Sequence, residues 1–211
     1  MTLQNRVTPS GEIVAVAARG SLMGNRGGRI HDPASRRLTG SRWASRQWIC
    51  CVLAFKDRHR TVMGPGYTEL FFLDEATALA AGHRPCFECR RGDALRFAEA
   101  MAEGLGVSHR PSAPQMDYIL HGQRLEGRHA RRHRVEGRNL ADGAMVEIGG
   151  EAWIVAGTVL RRWTPDGYRD ELALDPRGRY AALTPPATLA ALLAGYQPAT
   201  HPSAGPGFRQ R

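Results

Sequence analysis

Asp74–Arg91 reads DEATALAAGHRPCFECRR. Asp74 is placed to cap a helix over 75–81, because its side-chain oxygen can accept from the free backbone N–H groups of a first turn. Gly82 then supplies the stop. The next feature is Cys86-x-x-Cys89, followed by a second helix expected over about 90–104. There Leu95, Ala98, Met101, Ala102 and Leu105 recur at helical spacing and make one apolar stripe. A Cys-x-x-Cys turn at a helix start aims two thiols at one point. The helix N–H groups, with Arg84, Arg90 and Arg91 nearby, favour the thiolate form.

Two more cysteines lie upstream, adjacent at Cys50 and Cys51 in WICCVLAF (48–55), an apolar run that reads as a buried strand. Neighbouring side chains on a strand point to opposite faces. One cysteine therefore faces a metal and the other packs as a small hydrophobe. Cys51 is the preferred ligand and Cys50 the alternative. Zinc takes four ligands in a tetrahedron, so Cys51, Cys86 and Cys89 leave one position. The first candidate for it is His31, in the glycine-rich segment GSLMGNRGGRIHD (20–32), which reads as a structured loop; Asp32 beside it could orient the ring. The other candidate is water or substrate, the arrangement of catalytic zinc. His83 reads as a turn residue.

Composition narrows the setting. The chain has 211 residues, 42% hydrophobic and 23% charged, enough to build a core. No run approaches the roughly 18 apolar residues of a membrane span, and the first residues lack the apolar core of a signal peptide. The expectation is a cytoplasmic protein, where four cysteines point to a metal or a reactive thiol and not to disulfides. Net charge is +9, and every basic residue but Lys56 is arginine. Arginine pairs bidentately with phosphate, so the expected partner is nucleic acid, DNA above all. In QMDYILHGQRLEGRHARRHR (115–134), read as a helix, Arg124, Arg128 and Arg131 fall at i, i+4 and i+7 on one face. Arg132 and Arg134 extend this candidate phosphate-binding stripe.

The hook resembles a known family. Phe71–Phe72, Glu75–Ala76, Ala80–Gly82, Arg84-Pro85-Cys86 and Cys89 are similar to the zinc segment of the Ada-type methylphosphotriester repair domain, over roughly residues 70–91. The resemblance implies zinc bound near a DNA backbone, and in that family one zinc thiolate accepts a methyl group. The family's upstream pair is Cys-x-x-x-Cys, whereas here Cys50 and Cys51 are adjacent; the family's helix-turn-helix and alkylguanine-transferase segments have no counterpart. Pro-Cys-x-x-Cys is also half of the zinc deaminase motif, but no His-x-Glu or Cys-x-Glu precedes Cys86.

Strands are expected in EIVAVAA (12–18), RTVM (60–63) and TELFFL (68–73). Past 144 the pattern turns to β: hairpins around Gly149-Gly150 and Thr164–Gly167, then a final helix capped by Thr184 with a buried stripe of Leu189, Leu192, Leu193 and Tyr196. The expected fold is α+β: a zinc-hook domain of short strands and helices (1–106), a linker and basic helix (107–140), a small β-meander with a terminal helix (141–198), and a flexible tail (199–211). The expected function is a zinc-binding, DNA-interacting protein of repair or DNA processing with a mainly structural zinc. The alternative is a DNA-acting enzyme (nuclease, glycosylase or thiolate alkyl acceptor) that uses the zinc site or a neighbouring cleft.

Overall fold

The computed structural model describes residues 2–127, 129–205 and 209–210. Among these the fold is α+β, with four α-helices, a mixed six-stranded sheet and an antiparallel six-stranded sheet. The helices are α1 (Glu75–Ala80), α2 (Arg91–Gly104), α3 (Ala113–Arg124) and α4 (Pro186–Leu193).

The mixed sheet runs, edge to edge, Ile13–Val14, Arg6–Val7, Leu70–Phe72, Leu22–Arg26, Trp48–Cys51, Arg84–Pro85. One of its interior strands, Leu22–Arg26, comes from the segment expected as a glycine-rich loop. Gly24 is what admits it: a Cβ there would collide with the Ile49 carbonyl and the Phe72 ring. Glycine here serves close packing between strands and not loop freedom. RTVM, expected as a strand, is a turn in which Met63 is buried and takes φ +54.

Asp74 caps α1 as expected, its Oδ1 accepting the Thr77 N–H at 2.9 Å. The buried face of α2 is Ala94, Phe97, Ala98 and Met101, while Leu105 is exposed. Met145–Ile148, Glu151–Ala156, Val159–Thr164 and Gly167–Ala173 form the expected meander, Arg179–Ala182 pairs beside Met145–Ile148, and His133–Glu136, expected in the basic helix and linker, is the strand outside it. Gly149 and Gly150 both have positive φ, as a type I′ hairpin turn requires. Thr184 precedes α4, but its hydroxyl accepts the Met145 N–H, and Leu193 faces solvent.

The main apolar core crosses the expected domain boundaries. Leu79, Phe97 and Met101 share one cluster with Val146, Val155 and Leu192. The start of α1 also anchors the first residues of the segment expected as a flexible tail. Ala199 N–H donates to Glu75 and His201 N–H to Asp74, both at 2.9 Å, and Ala199, Thr200 and Ala204 are buried. Two buried carboxylates need donors, and residues 196–201 supply three of them, Tyr196 OH included.

Candidate metal centre

The strand Trp48–Cys51 alternates buried and half-buried residues. Cys50 points into the core with Leu22, Leu70 and Phe72, so the pleat turns Cys51 to the other face. The edge strand Arg84–Pro85 pairs with it in parallel, Cys50 opposite Pro85, and Cys86 N–H donates to the Cys50 carbonyl at 3.0 Å. This register carries Cys86 to the side of Cys51. The chain then turns tightly, with Arg90 N–H on the Cys86 carbonyl and Glu88 N–H on Cys86 Sγ at 3.4 Å. The turn returns Cys89 to the same point. The sulfurs of Cys51, Cys86 and Cys89 lie within 4.8 Å of one another.

Electrostatics follow from the crowding. Hydrogen bonds from Cys51 and Cys89 pull the Cys86 thiol well below its ordinary value, and the same contacts push Cys51 up. Three thiolates cannot gather without a cation, so the proton stays with part of the trio. The three cysteines thus form a candidate site for a metal ion such as zinc, and the residues fit it. Zn–S bonds of about 2.3 Å place tetrahedral thiolates about 3.8 Å apart, inside the observed spread. The turn also gives Cys86 the N–H donor that a bound thiolate needs.

The other cysteine-region candidates stand elsewhere. Cys50 lies beneath the trio and accepts from Arg90 Nη1 at 3.5 Å. His31 is buried, with Nδ1 on Thr68 Oγ1 at 2.6 Å and Nε2 on the Gly64 carbonyl at 2.8 Å. Both ring nitrogens are engaged, and the ring pins the 64–68 turn. His83 is fully buried between the rings of Trp48 and Phe72.

The sulfurs open onto a cleft of about 380 Å³. Residues that the spacing did not single out line it: His59, Arg60 and Tyr67 at the rim, and Glu69, which is buried. The signal for the rim was the run Phe55-Lys56-Asp57-Arg58-His59-Arg60 directly after the strand.

The basic stripe does not form as expected. Helix α3 ends at Arg124, because Leu125 turns to extended backbone (φ −127, ψ 143) and starts a short ladder. Arg124 is buried, donating to the carbonyls of Gly82 and Arg46, with its guanidinium 3.8 Å from the Trp48 ring centre. Burial pushes its pKa down to about 9, and it has no surface to offer a phosphate. Arg131 is exposed beyond the helix, Arg132 pairs with Glu147 at 2.7 Å, and Arg134 sits exposed on the strand His133–Glu136. Arg128 lies outside the described residues.

No helix among the described residues is long and apolar enough to cross a membrane. Comparison of the chain with protein-family models, curated proteins and solved structures gave no match.

Proposed function

We propose that the chain binds one zinc ion through Cys51, Cys86 and Cys89, with the fourth position facing the cleft, and that it interacts with DNA in repair or processing. The convergence of three sulfurs at the cleft floor carries the zinc half of this reading. The net charge of +9 and the hook resemblance at residues 70–91 support the DNA half. When bound, zinc supplies Lewis-acid polarisation to whatever group fills its open position.

One observation favours a second reading, an enzyme that acts on DNA. Glu69 lines the same cleft, is buried, and spends one oxygen on the Met63 N–H at 2.8 Å. A carboxylate so placed can take a proton from a bound group, the role of a general base.

Metal analysis tests the centre. Purified protein should carry about one zinc per chain, and Cys51→Ser and Cys86→Ser should each lose most of it; unchanged zinc in both variants overturns the site. Binding to a DNA duplex over a salt series tests the partner, and affinity that does not fall with salt overturns phosphate contact.

A further inference from the structure

The cleft over the sulfurs does not end at its rim. Leu53, Val62 and Phe71 line it and also line a second depression of about 500 Å³, whose far end holds Arg6 and Arg19. The two form one groove. Its sulfur end carries Arg58, His59 and Arg60.

The groove's acids are few, and one of them is already matched by a cation. Glu88 accepts from Arg58 at 2.6 Å, and Glu69 accepts from the Met63 N–H. Its other cations are not matched: among the described residues Arg6, Arg19 and Arg60 form no ion pair with a carboxylate. Arg6 and Arg19 sit close enough to repel, so that burial and then the Arg19 charge both lower the Arg6 pKa. An anion between them relieves that repulsion.

Aromatic rings alternate with these cations. The Arg6 guanidinium lies 4.8 Å from the Phe71 ring centre, Arg60 lies 4.6 Å from Tyr67, and Arg58 lies 5.6 Å from Phe55. A positively charged groove with aromatic faces along it suits phosphates joined by unpaired bases, which stack without regard to sequence. A duplex keeps its bases inside, and a concave cleft of about 380 Å³ admits one nucleotide-sized group.

We propose that the groove from Cys51, Cys86 and Cys89 to Arg6 and Arg19 binds single-stranded nucleic acid and brings one nucleotide to the open side of the metal centre. This rests on the nucleic-acid half of the reading above and names its substrate class. Arg6, Arg19 and Arg60 contact phosphates, and Phe55 and Tyr67 offer the stacking faces.

Fluorescence anisotropy with full-length protein tests it. The probes are oligodeoxythymidine and oligouridine of about 12 nucleotides and a DNA duplex of matched length. One or both single strands should bind about tenfold tighter than the duplex, with log K falling as salt rises. The double variant Arg19→Ala/Arg60→Ala, at two exposed positions, should bind about tenfold more weakly, its salt slope reduced by about 0.7 for each phosphate it no longer neutralises. Tyr67→Leu should weaken binding about fivefold and leave the slope unchanged. Equal affinity of wild type and the double variant, tighter binding to the duplex, or displacement of the strand by polyglutamate at equal charge overturns the proposal. Zinc is measured in the same samples. A zinc-loaded protein that ignores the single strands sinks the groove and leaves the metal centre standing, whereas zinc-free protein sinks the centre itself.

Discussion

Arg90 and Glu75 form an ion pair with no exposed surface on either side chain, 2.7 Å from Nη2 to Oε1. Arg90 follows the last cysteine of the hook and Glu75 opens α1, so one guanidinium ties the metal turn to the helix that precedes it. The same guanidinium holds Asp93 at 2.7 Å and donates to Cys50 Sγ, while Glu75 also receives the Tyr196 hydroxyl and the Ala199 N–H. Removing one partner of such a pair leaves the other charge buried and unmatched.

Arg90→Met is therefore expected to cost about 3–5 kcal/mol, read as a shift in the denaturant midpoint. It should also weaken zinc retention against a chelator, because the turn loses its anchor. A variant as stable as wild type would show that the network is incidental to the fold.

The adjacent cysteines should separate cleanly by phenotype. Cys51→Ser is expected to lose zinc and keep most of its stability in metal-free buffer, since Cys51 is half-buried. Cys50→Ala is expected to keep zinc and lose about 1–2 kcal/mol, the cost of trimming a small apolar group from a packed core. Zinc stoichiometry and chemical denaturation of the two variants, side by side, check the assignment of faces.

His31→Phe should leave zinc content unchanged. The ring binds Thr68 and Gly64 and holds the turn that leads into Glu69. The loss of two buried hydrogen bonds is expected to cost about 2–3 kcal/mol and to loosen residues 60–68, read as faster amide exchange there. Loss of zinc with intact stability would return His31 to the ligand set.

The parts legible in the sequence were those governed by local rules. Asp74 at the cap, the opposite faces of Cys50 and Cys51, and the Gly149-Gly150 hairpin each follow from backbone geometry within a few residues. What the sequence hid depends on distant partners. Gly24 reads as loop punctuation, and only the approach of Ile49 and Phe72 makes it a strand residue. Arg124 sits at helical spacing from Arg128 and Arg131, but a helix end and the Trp48 ring take it inside. The cleft was missed because Glu69, just before Leu70–Phe72, and Cys51, at the end of Trp48–Cys51, come to it from strands far apart in sequence, which both pair with Leu22–Arg26.

His83 is expected to make the protein acid-sensitive. It is fully buried, and neither ring nitrogen has a hydrogen-bond partner of good geometry among the described residues. Burial, then the charges of Arg26 and Arg124, hold its pKa well below 6.5, with the Ala78 and Ala81 carbonyls pulling weakly the other way. The sign follows from proton uptake. Below pH 6.5 the unfolded chain binds a proton at this residue and the folded chain does not, so stability is full above 6.5 and falls as pH drops toward the depressed folded value. The slope approaches about 1.4 kcal/mol per pH unit for one proton. His83→Phe replaces the ring by an apolar one of similar shape, packed on the same Trp48 and Phe72 faces. It is expected to stay within about 1 kcal/mol of wild type at pH 8 and to be the more stable of the two at pH 5. Urea denaturation at several pH values between these limits checks the crossover, and parallel pH profiles for the two proteins would assign the acid sensitivity to other groups.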